Sequence, residues 1–171
     1  ALTVPVSQWR DAAHFAADRI FEALTGARGI FATKILYVNQ YPHNGKVRYR
    51  LELADADGFR PLSILDSPEP ILSPGWSPDG RKVAYVSFES GRPAIYTQNI
   101  ATQQRTRIAS FSGLNGAPTW SPDGGRMALT LSRDGNPEIY IMDVATQALT
   151  RVTNHAAIDT EPRWMPDGKS L

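Results

Sequence analysis

Apolar and polar positions follow two different periods along this chain, and the change comes near residue 34. In the first part, Trp9, Ala13, Ala16, Ile20 and Leu24 recur at steps of four, three, four and four. That spacing predicts an amphipathic helix over about residues 7–24. Ser7 stands where a side-chain N-cap is needed, and Gly26 where a left-handed residue ends a helix. Asp11, Asp18 and Arg19 fall on other faces. Leu2-Thr3-Val4 reads as the end of a strand. The apolar stripe needs a cover, so residues 1–33 are read as the C-terminal end of an α/β domain plus a linker. A membrane-surface helix is the weaker alternative, because the polar face mixes Asp11, Asp18 and Glu22 with Arg10 and Arg19 where surface-seeking helices are basic.

Beyond residue 34 the pattern becomes short apolar runs of strand length, punctuated by turns. Trp76-Ser77-Pro78-Asp79-Gly80 returns as Trp120-Ser121-Pro122-Asp123-Gly124 and again as Trp164-Met165-Pro166-Asp167-Gly168, 44 residues apart each time. The rest of the unit keeps the register. Pro74, Pro118 and Pro162 match, as do Ile95-Tyr96 and Ile139-Tyr140, and Ala101-Thr102-Gln103 and Ala145-Thr146-Gln147. Asp55 lies two periods before Asp143. The first hairpin alone breaks step: Ile35–Val38 aligns with Val83–Val86 at an offset of 48, and four extra residues are assigned to the tip around Pro42-His43-Asn44-Gly45.

Ser-Pro-Asp-Gly is turn chemistry, with proline presetting φ and glycine accepting a positive φ. Asp79, Gly80, Asp123, Gly124, Asp167 and Gly168 are therefore assigned to structural turns. Strands are predicted at 81–87 and 125–131, at 94–100 and 138–144, and at 105–109 and 149–153. With a short strand at each Trp, this makes four strands per unit. A period of 40–50 residues with four strands marks a β-propeller blade. A tandem sandwich array is the alternative. The fold class is therefore mainly β: a partial β-propeller over 34–171, preceded by the terminal helix of an α/β domain. Its units are about 34–75, 76–119 and 120–163, with a stub at 164–171.

Composition narrows the function. Glycine and proline number 13 each, in keeping with many turns, and 18 basic residues balance 17 acidic ones. A nucleic-acid footprint is disfavoured. No apolar run reaches membrane-spanning length. Cysteine is absent, which removes disulfides, thiol catalysis and Cys-based zinc sites. No Gly-x-Ser-x-Gly elbow, P-loop or dinucleotide-binding glycine pattern occurs. His155 beside Asp159 and Glu161 is a three-ligand metal candidate in a single loop, for which a solvated partner-contacting loop is the simpler reading. No cofactor, metal or catalytic residue is assigned.

The segment Phe21-Glu22-Ala23-Leu24-Thr25-Gly26, running into Ile35-Leu36-Tyr37-Val38, is similar to the domain junction of the TolB family. The hairpin Phe88-Glu89-Ser90-Gly91-Arg92, the loop Asn115-Gly116-Ala117-Pro118 and the loop Thr160-Glu161-Pro162 resemble that family in the same order. The resemblance implies a non-enzymatic periplasmic protein with a six-bladed propeller, acting in the Tol–Pal system of outer-membrane integrity and cell division. It implies binding of the lipoprotein Pal through the propeller, links to other Tol proteins through the N-terminal domain, and exploitation by bacteriocins. It implies neither nucleic-acid binding nor direct membrane insertion. Family positions that affect Pal binding match Leu114, Ala117 and Thr160, with Leu114 standing where the family often has His. Asn115, Asp159 and Glu161 are added as neighbours able to present polar groups. Ordinary turn chemistry is the competing account of all six. Two other functions stay open: the gating propeller of a prolyl-oligopeptidase-type peptidase, and a lectin-like propeller.

Overall fold

A computed structural model describes residues 3–171. A single 3-10 turn (Val6–Gln8) leads into helix α1 (Trp9–Thr25), and eleven strands follow. They are β1 (Lys34–His43), β2 (Lys46–Asp55), β3 (Leu62–Ser67), β4 (Ile71–Trp76), β5 (Lys82–Ser87), β6 (Ala94–Asn99), β7 (Arg105–Ala109), β8 (Asn115–Trp120), β9 (Arg126–Leu131), β10 (Glu138–Asp143) and β11 (Leu149–Arg151). They form three meandering sheets: β1-β2-β3, β4-β5-β6-β7 and β8-β9-β10-β11. The chain is mainly β, and its last two sheets are complete four-stranded blades of a partial propeller. The 44-residue period counted from Trp to Trp is offset from these sheets. Each Trp closes the first strand of its sheet, so a sheet begins five residues upstream of it.

The chain divides into two compact units, 1–37 with 52–63, and 38–51 with 64–171. In the first unit, α1 ends at Gly26 in the left-handed conformation (φ 73°), its N–H returning to the Glu22 carbonyl. The start differs from expectation. Gln8, not Ser7, is the N-cap, and no side chain caps the helix. The 3-10 turn satisfies the end instead, with Gln8 N–H donating to the Pro5 carbonyl. Of the expected strand end Leu2-Thr3-Val4, Leu2 lies outside the described residues, and Thr3 and Val4 are irregular. The apolar stripe of α1 faces outward: Trp9, Ile20 and Leu24 are exposed. The side facing the rest of the unit carries Arg10 and Asp18. Asp18 accepts the backbone N–H groups of Phe31 (2.7 Å) and Ala32 (3.1 Å).

Asp55, 3% exposed, is the ionic hub of this unit. Its carboxylate accepts from Lys34 Nζ (2.7 Å), Arg10 Nε (3.0 Å) and Arg60 Nε (3.0 Å). The repeat explains the position but not the partners. Asn99 and Asp143, one and two periods on, each accept two backbone N–H groups of the following turn. Arg60 and Lys34 beside it, with Arg10, hold the Asp55 carboxyl well below the ordinary carboxylate range.

The second unit contains the main core. Ala84, Val86 and Ile95 of one blade pack with Met127, Leu129, Leu131, Tyr140 and Met142 of the next. The first strands β4 and β8 of adjacent blades also touch, placing them toward the inside of the fan. Each Ser-Pro-Asp-Gly turn closes by the same bonds. Gly80 N–H donates to the Ser77 carbonyl and Gly124 N–H to that of Ser121, both at 2.9 Å, with φ of 68° and 72°. Ser77 Oγ donates to Asp79 Oδ1 (2.6 Å) and accepts the Lys82 N–H (2.9 Å). Ser121, Asp123 and Arg126 repeat the arrangement. In the first sheet the hairpin turns at Asn44-Gly45, both at positive φ. Its span, 34–55, is four residues longer than 82–99, and the surplus lengthens the two strands.

Candidate functional site

The antiparallel meander puts the Ser-Pro-Asp-Gly turns at one end of each blade. At the opposite end lie the start of the first strand and the hairpin between the second and third. Five of the six partner-binding candidates come together there, lining one cavity of about 350 Å³: Leu114, Asn115, Ala117, Thr160 and Glu161. Asp159 does not line it; its N–H is bonded to the Pro137 carbonyl (3.0 Å).

The backbone of the cavity wall is strained at a repeated place. Ser73, Ala117 and Glu161 sit 44 residues apart, each at positive φ (47°, 46° and 54°) and each directly before a proline. Left-handed backbone costs an L-residue roughly 1–2 kcal/mol, and a following proline disfavours helical angles further. The strain falls where ladder register shifts, between Leu72 and Gly75 in β4 and between Gly116 and Thr119 in β8. Such bulges bend a strand and turn its side chains. Ala117 is thereby buried, while Thr160 and Glu161 are exposed.

Two loops frame the opening. In the first, Asn115 is buried and its side chain turns inward. Its Oδ1 accepts Phe111 N–H (2.9 Å) and its Nδ2 donates to the Phe111 carbonyl (2.8 Å). Leu114 exchanges with Ser132, its N–H donating to Ser132 Oγ (2.7 Å). Gly113 (φ 78°) is required beside it, because a Cβ there would collide with the Ser132 side chain. Leu114 keeps its own side chain partly exposed at the rim.

The second loop, 152–161, is tied down by the hairpin of the third sheet. Glu138 is fully buried and takes three donors: Thr153 Oγ1 (2.5 Å), His155 N–H (2.8 Å) and Arg151 Nη2 (3.0 Å). The Thr153 hydroxyl first, then the His155 amide and Arg151, holds this carboxyl below its ordinary range. Asn136 Nδ2 donates to the carbonyls of His155 (3.1 Å) and Ala157. His155 Nδ1 accepts Ala157 N–H (3.0 Å). Among the described residues, no group of three or more His, Cys, Asp or Glu could hold a metal.

Sequence reasoning missed Leu72, Ser73, Val86, Phe88, Pro93 and Thr130, which complete the wall, and Glu138. Ser73 carried a usable signal, since Ser73-Pro74 aligns with Ala117-Pro118. Glu138 and Thr130 were marked only by departing from the repeat, where the earlier blade has Ala94 and Val86.

Comparison with known proteins follows the same boundaries. The model of the TolB beta propeller domain matches residues 21–171. The Tol-Pal system protein TolB of Alcanivorax borkumensis is 62% identical over 115 residues, 67% of this chain and 26% of that protein. The chain thus spans about a quarter of that relative's length. The crystal structure of TolB from Acinetobacter baumannii superimposes with a TM-score of 0.92 and 53% identity, over 98% of this chain and 42% of that one. Puromycin hydrolase, 18% identical with a TM-score of 0.61 over 71% of this chain and 21% of that one, shares the fold alone. By the family match over residues 21–171 and the TolB fold, the chain belongs to the TolB β-propeller family.

Proposed function

We propose that the cavity-bearing end of the blades docks a protein, and that this chain serves as a non-enzymatic scaffold of the Tol–Pal system in the periplasm. The lipoprotein Pal is the partner this reading names. Support comes from one observation above all: five of six residues chosen from sequence line a single cavity, in a chain whose relatives carry the name Tol-Pal system protein. The face is suited to docking. It is apolar at its centre, is rimmed by the exposed Thr160 and Glu161, and rests on loops fixed from below by Asn115 and Glu138. Residues 1–33 are read as the end of an α/β domain that links to other Tol proteins. The outward apolar stripe of α1 favours that reading. Bacteriocins would compete for the docking face. No helix among the described residues is long and apolar enough to cross a membrane.

Thr160→Trp fills the rim without entering a ladder. Calorimetric titration with Pal is expected to show affinity at least tenfold weaker, with an unchanged melting temperature. Unchanged affinity removes Thr160 from the site. The peptidase-gate reading predicts oligopeptide hydrolysis by the full-length protein, blocked by a serine-directed reagent. That result would overturn the scaffold.

A further inference from the structure

The cavity wall contains one group that its own fold does not use. Thr130 lies on β9 and is 1% exposed. Its Oγ1 has no hydrogen-bond partner among the described residues, and the residue lines the cavity. One period earlier the same register position is Val86, which lines the same cavity. Valine and threonine have the same shape, so packing alone is served equally well by either. Burying a hydroxyl without a partner is costly. A threonine here is a penalty to the free protein that a bound group can relieve.

The rest of the wall states what that group must look like. Leu72, Val86, Phe88, Pro93 and Leu114 present carbon to the cavity. A volume of about 350 Å³ lies at the low end of small-ligand sites. An apolar body with one polar tip satisfies both demands. Among side chains, tyrosine combines a flat apolar ring with a hydroxyl that both donates and accepts, and it is enriched at energetic centres of interfaces.

We propose that the cavity receives a tyrosine side chain of the docked protein, with Thr130 Oγ1 hydrogen-bonded to its phenolic oxygen. This rests on the docking reading above and adds to it the chemistry of the anchor. Relief of the unpaired hydroxyl makes Thr130 a specificity residue: it favours tyrosine over phenylalanine at the same place.

The test uses p-cresol and toluene as side-chain probes, titrated into the chain and followed by NMR of the Thr130 and Val86 methyl groups. One hydrogen bond predicts that p-cresol binds about five- to tenfold more tightly than toluene. In Thr130→Val the preference is expected to fall below about twofold, with a melting temperature equal to the parent's or higher. Equal binding of the two probes to the parent, binding of neither, or a preference kept by Thr130→Val overturns the assignment. Pal titration separates this inference from the docking reading. Pal binding that Thr130→Val leaves unchanged sinks the tyrosine anchor while docking stands. If Pal fails to bind the parent but the p-cresol preference holds, docking falls and the site for a phenolic ring stands.

Discussion

Two successive blade contacts in this molecule use the same backbone positions with opposite chemistry. Where the second sheet faces the third, residues Leu129, Met142 and Leu149 belong to or pack on an apolar cluster. One period earlier the same positions are Tyr85, Gln98 and Arg105, and they form a polar chain. Arg105 Nε donates to Tyr85 Oη (2.7 Å), Tyr85 Oη donates to Gln98 Oε1 (2.9 Å), and Gln98 Nε2 donates to the Ile64 carbonyl of β3 (2.8 Å). Arg105 also lies 4.7 Å from the centre of the Tyr96 ring, which stacks on Tyr85 at 6.0 Å. A blade therefore constrains the volume at these sites and leaves polarity free, provided that every buried polar atom is paired. The apolar contact draws on area and tight packing. The polar contact gains less net energy but fails abruptly when one member is lost.

The largest break should come from the apolar side. Leu129→Ala opens a cavity in the cluster and is expected to cost about 2–5 kcal/mol, read as a fall in the urea midpoint at constant slope. A midpoint shift under about 1 kcal/mol would mean that the blades do not depend on this cluster. On the polar side, Gln98→Met copies the later blade at one position only. It strands the Ile64 carbonyl and the Tyr85 hydroxyl and is expected to cost about 2 kcal/mol. Adding Tyr85→Leu and Arg105→Leu should recover part of that loss, because the orphaned groups are removed together. Additive losses in the triple variant would refute the paired-network account.

The comparison also sharpens with pH. Burial pushes the Tyr85 hydroxyl up to about 12, against the opposing pull of Arg105. The unfolded chain ionises near pH 10, so between these values the folded state holds the extra proton. Stability from this group is complete below about pH 10 and is lost as pH rises toward 12, on the order of 2 kcal/mol. Tyr85→Phe should flatten that segment of the stability–pH curve, and a curve unchanged by the substitution would assign the loss elsewhere. The smallest effect concerns the turn beside each Trp. Arg126 Nη2 bonds the Gly168 carbonyl (2.7 Å) and its guanidinium lies 4.7 Å from the Trp164 ring centre. Lys82 occupies the same position one blade earlier, beside Trp120 and Gly124. Lys82→Arg is expected to reproduce the clamp and stabilise by roughly 0.5–1 kcal/mol; a melting temperature at or below the parent's would show that the clamp depends on Trp164.

Much of this was legible in the residues. The 44-residue period, the strand–turn order and the positive-φ glycines were all visible, because turn chemistry and alternation act over a few residues. The docking face was legible only in part. Ala117, Thr160 and Glu161 could be picked out as loop positions, but the inward turn of Asn115 could not. Its amide serves Phe111 and Gly113, a choice made by the local path of the loop. The N-terminal helix shows the same limit. Its stripe at Trp9, Ile20 and Leu24 was readable, but the side it presents to its own unit is the one bearing Arg10, fixed by Asp55 and Asp57 more than forty residues away.

Alone, then, the sequence determined a repeating β architecture, its turns and the family to which it belongs, since each is written in local spacing. Tertiary structure decided which copies of a repeated position became equivalent in role. Asp55 gathers three cations where Asp143 caps a turn, Gln98 bonds across blades where Met142 packs, and Thr130 is left unpaired where Val86 is satisfied. The physical reason is common to all three. A repeat fixes where a side chain starts, and only the neighbours brought by folding fix what it meets.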